Sequence, residues 1–153
     1  MLYTASYFEP EHHHGVLLSI SRSVPKGFRV DGALDFLAPN AQLLKDWKAK
    51  SIDEEAYCQR YRLQLKESWQ QVSSWLKSLD AKTNQTLLCW EHQGAFCHRN
   101  LIALLVQKHR SDVFGGCDIR RVEIPKCTVC ETQLTIGLDA NFCSGCRIWQ
   151  KNK

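Results

Sequence analysis

The apolar positions of this chain fall into short continuous runs and longer periodic stretches, which predict different elements. Residues 2–8 (LYTASYF) are aromatic and apolar and predict a strand. Residues 16–20 (VLLSI) form a short apolar run before a Ser/Arg/Pro/Gly stretch and predict a second, buried strand. Between them lies a segment carrying His12, His13 and His14, read as an exposed loop in preference to a set of metal ligands. Residues 21–31 form a long loop punctuated by Pro25 and Gly27, with Arg22, Lys26 and Arg29 on it.

Helical periodicity follows. Pro39 and Asn40 open a helix that runs to about Lys50. Ser51 and Glu54 have capping-box spacing, in which each side chain can bond the other's backbone amide. They open a helical stretch ending near Leu79, in which Tyr57, Tyr61, Leu65, Trp69, Val72, Leu76 and Leu79 recur at intervals of three or four. The stretch is long enough for a break near Glu67, although no Pro or Gly marks one. Residues 86–90 (TLLCW) predict a buried strand, and residues 91–96, with Gly94, a turn. Residues 97–110 predict a helix with Leu101, Leu104 and Leu105 on its apolar side. Gly115 and Gly116 break the chain, and residues 118–124 alternate like a strand. Strand, helix and strand over residues 86–124 make a βαβ unit, which predicts a parallel crossover. Trp47, Trp69, Trp75 and Trp90 are read as core. Trp90 should point away from Cys89 and Glu91, since strand neighbours alternate faces.

These elements predict an α/β domain over residues 1–124, a small, partly parallel sheet flanked by helices. Pro125 marks the boundary, and residues 125–153 are read as a second, much smaller domain. The 153 residues, 44% of them apolar and 24% charged, exclude a mainly disordered, collagen-like or coiled-coil chain. No apolar run approaches the ~18 residues of a membrane helix, and the first ten residues lack the features of a secretory signal. The expectation is a cytoplasmic protein without membrane contact. Net charge is +4, from 20 basic and 16 acidic residues, with +1 before Lys108 and +3 from Lys108 onward. Bound zinc thiolates would lower the second figure, so charge alone argues weakly for nucleic acid.

Cysteine placement changes the picture most. Of eight cysteines, Cys58, Cys89, Cys97 and Cys117 are scattered, while Cys127, Cys130, Cys143 and Cys146 form two C-x-x-C pairs twelve residues apart. In a chain without a secretory signal this pattern reads as metal binding ahead of disulfides or an iron–sulfur cluster. Each C-x-x-C turn presents two thiolates, and two turns close a tetrahedron around zinc. Such a closed site is structural, standing in for a core that fewer than about 30 residues cannot build. The cofactor expectation is therefore one structural zinc in a C-terminal ribbon.

A second cluster is chemical in a different way. Glu91, Cys97, His98 and Arg99 lie around the junction of an apolar strand and a following helix, where α/β folds bind ligands. A helix start offers free amides and a positive dipole, which would lower the pKa of Cys97, helped by His98 and Arg99. Thiolate, imidazole and carboxylate together suit nucleophilic or acid/base chemistry, and Arg99 suits an anion. The plainer readings are a packed Cys97, a structural His98 and a simple Glu91–Arg99 ion pair.

The string Leu87-Leu-Cys-Trp-Glu91, five residues, then Cys97-His-Arg99 resembles the signature of domain-of-unknown-function family 488. The opening strand, the second strand leading through Ser21 and Arg22 to Pro25, the Leu-Ala-Pro39 segment and the Tyr57, Tyr61, Leu65 helix are similar to that family too. The resemblance covers roughly residues 1–124 and leaves the ribbon as an addition. It implies a small α/β domain and names no reaction. It implies a site of Glu91, Cys97, His98 and Arg99, joined by Ser21 and Arg22 from the loop after the second strand, with Tyr61 as a wall. The function expected is an enzyme or a domain binding an anionic ligand, a nucleotide or nucleic acid. The alternative is a non-catalytic nucleic-acid or protein interaction module built on the ribbon, with Arg147, Trp149, Lys151 and Lys153 as contacts. A thiol redox sensor pairing Cys97 with Cys89 or Cys117 is a third reading.

Overall fold

A computed structural model describes residues 1–117, 140–143 and 148–151. The chain divides into two units, residues 1–119 and 120–153.

In the first unit the strands are β1 (Leu2–Ser6), β2 (Val16–Ser19), β3 (Gly32–Ala33), β4 (Gln85–Cys89) and β5 (Phe114–Cys117). They form one sheet in the order β3-β2-β4-β1-β5, and every pairing in it is parallel. The helices are α1 (Ala41–Lys48), α2 (Glu54–Glu67), α3 (Trp69–Ser78) and α4 (His98–His109). The α/β class read from the sequence is the observed one, with four helices flanking a sheet that is parallel throughout.

Alternation along the strands sorts the core into two sides. Leu2 and Leu87 join the main cluster, which takes Leu43 from α1, Tyr57 and Tyr61 from α2, Val72 and Leu76 from α3, and Ile102 and Val106 from α4. Ala5, Tyr7 and Leu88 form a second, smaller cluster, covered by Val24, Phe28 and Val30 of the loop after β2.

Local chemistry sets the helix ends. Asn40 caps α1 by accepting from the Leu43 amide. The expected capping box at Ser51 and Glu54 is not formed. Asp53 caps α2 by accepting from the Ala56 amide at 2.8 Å, and the Ser51 hydroxyl donates back to Asp46 O. A carboxylate one residue before the helix is the stronger acceptor for its free amides. The long helical stretch breaks at Ser68, beside the expected Glu67, and the Ser68 hydroxyl donates to Gln64 O.

Three expectations are corrected. The glycine pair does not break the chain: Phe114-Gly-Gly-Cys117 is itself β5, while residues 118–124 lie outside the described residues. A Cβ on Gly115 would fall 2.6 Å from the Tyr3 ring, so this strand needs glycine to lie beside β1. The crossover from β4 through α4 is parallel, as expected, and reaches β5 with β1 lying between the two strands. On α4 the buried positions are His98, Arg99, Ile102, Ala103 and Val106, while Leu104 is 42% exposed. Arg99 turns the helix, because its guanidinium serves carbonyls inside the molecule. Trp75 is core, but Trp69 and Trp90 are 42% and 39% exposed. Trp90 packs on the Tyr7 side of the sheet, against the Tyr7 and Phe8 rings, away from the helix side as alternation requires.

The His12–His14 segment holds a one-turn 3₁₀ helix (Pro10–His12), with His12 and His13 half-buried and only His14 exposed. The His13 ring bonds Ser6 O at 2.7 Å.

In the second unit β6 (Ala140–Cys143) pairs antiparallel with β7 (Ile148–Lys151), with Cys143 in register with Ile148. Cys127, Cys130 and Cys146 lie outside the described residues, as do Arg147 and Lys153.

Candidate functional site

The carboxyl ends of β2 and β4 lie side by side, so three separate pieces of chain meet there. β4 delivers Cys89 on the helix side. The chain leaves the strand through Trp90 and Glu91, turns, and returns at Cys97, the N-cap of α4, with extended backbone. His98 is the first residue of that helix, and Ile20 closes the group from the end of β2.

The polar contacts are mutual. Glu91 Oε2 lies 3.0 Å from Cys89 Sγ and 3.1 Å from Cys97 Sγ, and each thiol donates to it when protonated. His98 Nδ1 lies 3.7 Å from both sulfurs. His98 Nε2 lies 2.8 Å from Ile20 O. A carbonyl can only accept, so Nε2 carries the hydrogen and neutral His98 turns the Nδ1 lone pair to the two sulfurs. The Arg99 amide donates to Cys97 Sγ at 3.4 Å. The Arg99 guanidinium donates to Glu91 O and His92 O, so it holds the turn that carries Glu91.

These neighbours split the pKa values of two otherwise similar thiols. Burial pushes Cys97 up, but the hydrogen bond from Cys89 and the charge of His98 outweigh it and bring the thiol down to about 6. The same bond to Cys97, together with burial, pushes Cys89 well up. Burial opposes the charge on Glu91, yet the two thiol donors hold its carboxyl below the usual range. Burial disfavours the charged form of His98, and the Cys97 charge reverses that and raises it. Cys89 is thus the standing proton donor, Cys97 the sulfur that ionises, and His98 its counter-charge.

This cluster closes a cavity of about 420 Å³. Trp47, Tyr57, Phe96 and Trp90 line its walls, with Arg22 and Lys48 as the cations. Trp90 Nε1 donates to Ser23 O and so fixes the loop after β2 to the cavity edge.

Of the residues singled out from the sequence, Glu91, Cys97, His98, Ser21 and Arg22 all line this cavity. Ser21 lines it with its hydroxyl bonded to Tyr7 and Ser23 O. Arg99 and Tyr61 do not line it. Arg99 is 0% exposed and acts through the turn. Tyr61 lies behind His98, ring centroids 5.5 Å apart, and its hydroxyl donates to Leu37 O. Tyr57, one helical turn earlier, is the wall. In the sequence Cys89 stands among the scattered thiols, placed beside Cys97 only in the redox-sensor reading. The signal was its Cys-x-Glu spacing at a strand end, which puts Cys89 and Glu91 on one side.

Cys89 Sγ, Cys97 Sγ and His98 Nδ1 lie within 4.8 Å of one another, a buried group that could hold a metal ion. No helix among the described residues is long and apolar enough to cross a membrane.

No curated protein and no solved structure matches the chain. The family described as DUF488-N3a, active DUF488-N3 subclade, matches residues 2–110, from β1 to the end of α4. That span contains the whole cavity and the Cys89, Glu91, Cys97, His98 and Arg99 signature. The chain therefore belongs to the DUF488-N3a subclade of the domain-of-unknown-function family 488.

Proposed function

We propose that the α/β domain is an enzyme acting on an anionic ligand of nucleotide size. The observation that carries this reading is a reactive polar floor, Cys89, Glu91, Cys97 and His98, at the end of an aromatic-walled cavity. A cavity of about 420 Å³ is in the range of small-molecule sites. Its aromatic walls suit a flat ring, and exposed Arg22 with Lys48 suits a phosphate or carboxylate. Glu91 and His98 are the proton-handling groups, and Arg99 positions Glu91 through its carbonyl.

Nucleoside monophosphates are the probes for a first test, with tryptophan fluorescence as readout, since Trp47 and Trp90 both line the cavity. Saturable quenching is expected. Arg22→Ala should weaken it about tenfold, the loss of one ionic contact of ~1.4 kcal/mol. Absence of saturable quenching by all four ribonucleotides at millimolar concentration overturns the nucleotide reading.

Residues 125–153 complete the proposal as a zinc ribbon, with Cys127, Cys130, Cys143 and Cys146 holding one structural zinc. The antiparallel β6–β7 pair, with Cys143 at the end of β6, supports it.

A further inference from the structure

We propose that Cys89 Sγ, Cys97 Sγ and His98 Nδ1 bind one zinc ion at the floor of the α/β cavity, a site separate from the four tail cysteines. With Zn–S of ~2.3 Å and Zn–N of ~2.0–2.1 Å, a tetrahedral ion holds its sulfur and nitrogen ligands roughly 3.6 Å apart. Both sulfur–nitrogen separations here are 3.7 Å. Both separations therefore fit the ion, and the three atoms lie within 4.8 Å of one another.

Two further features point the same way. A histidine that ligates metal through one nitrogen characteristically donates the other N–H to a backbone carbonyl or carboxylate. His98 donates from Nε2 to Ile20 O, which aims the Nδ1 lone pair at the sulfurs. The Arg99 amide bonds Cys97 Sγ, an outer contact that favours the thiolate form a metal needs. Two thiolates and a divalent zinc sum to zero, so the ion and its three buried ligands carry no net charge of their own beside the Glu91 carboxylate. Thiolates with imidazole select zinc over hard oxygen-seeking cations.

Three protein ligands leave the fourth position open, as in catalytic zinc sites and unlike a closed four-thiolate ribbon. All three ligands line the cavity, so that position faces the ligand space. Binding releases two protons to solvent, one from Cys89 and one shared by the Cys97–His98 pair. The sulfurs then stop donating to Glu91 Oε2, which leaves a carboxylate beside the ion to take a proton from a water or substrate hydroxyl. The inference deepens the reading of the cavity as a reactive site. It stands on the floor geometry, so metal and nucleotide binding can fail independently.

The test is titration of the zinc-stripped full chain with cobalt, read by the thiolate-to-cobalt absorption band and by bound metal per chain. Wild type should bind one equivalent more than Cys97→Ser and one more than Cys89→Ser. Cys58→Ser, outside the cluster on α2, should match wild type. Glu91→Gln should also keep full stoichiometry, since Glu91 is not a ligand. Equal binding by wild type and folded Cys97→Ser overturns the site. If that variant does not fold, mass spectrometry of alkylated wild type decides. Zinc should slow alkylation of Cys89 and Cys97 at least tenfold, and unchanged rates at both overturn the proposal.

Discussion

Replacing Arg99 with alanine tests whether that side chain holds the protein's own turn or a ligand's charge. Arg99 is 0% exposed, and its guanidinium donates to Glu91 O and His92 O. A hydrogen bond from a charged donor contributes about 1.5–3 kcal/mol. Losing two gives about 3–6 kcal/mol, with the upper part reached only if no water enters to satisfy the freed carbonyls. The space vacated beneath α4 adds to the loss, because Ile102 and Ala103, three and four residues further on, are buried on the same helix face. For a domain of this size, a urea slope of about 2 kcal/mol per molar turns the lower figure into a midpoint shift of about 1.5 M. The assay is urea unfolding followed by far-UV circular dichroism. Arg99→Lys keeps the charge but not the fork, so it should lose about half as much. A shift below about 0.5 kcal/mol for Arg99→Ala, together with lost anion binding, would refute the positioning role and make Arg99 a ligand contact.

Gly115→Ala should destabilise the α/β unit by about 1–3 kcal/mol, because the added methyl meets the Tyr3 ring at 2.6 Å. Combining it with Tyr3→Ser should recover much of that loss in the same urea assay, and strict additivity would place the strain elsewhere. In zinc-free protein, alkylation of Cys97 should rise with pH through about 6 and level off above it, because only the thiolate reacts. His98→Ala removes the counter-charge and should move that midpoint up; a wild-type midpoint near the free-thiol value of ~8.5 contradicts the pairing. Chelation of the full chain should open residues 120–153 to trypsin while the fragment ending near residue 119 persists. Equal cleavage with and without chelator counts against a structural zinc in the tail.

Much of the site was legible along the chain. The apolar runs that became β1, β2 and β4 are short, bounded and rich in strand formers, so their type followed from composition. The interval of three and four through Tyr57, Tyr61 and Leu65 fixed the buried face of α2. Glu91, Cys97 and His98 were gathered because they flank one strand–helix junction. The sequence left Arg99 open between an anion contact and an ion pair with Glu91, because a guanidinium looks the same in sequence whichever oxygen it meets; in the fold it donates to Glu91 O and His92 O. The sequence names Tyr61 as a wall, but it is Tyr57 that lines the cavity: both lie on one helix face, and only the height along α2 separates wall from core. The strand Phe114–Cys117 was missed because two glycines normally signal a turn; Gly115 answers to a ring more than a hundred residues earlier, and Gly116 to a positive φ of 125°.

Sequence alone determined what neighbours in the chain can settle: element type, helix period, the thiol-rich tail spacing and the strand-end chemistry of residues 87–99. These depend on local propensity and repeat, which act over a few residues. Tertiary structure decided what depends on parallel pairing. That pairing joins Ser6 to Cys89 and Ser19 to Leu88, and brings the Ile20 carbonyl to a histidine 78 positions later. The tautomer of His98, the opposed ionisation of Cys89 and Cys97, and the spacing of the three candidate ligands all follow from that carbonyl and that sheet order. No local pattern encodes them, because the partners meet only when the sheet closes.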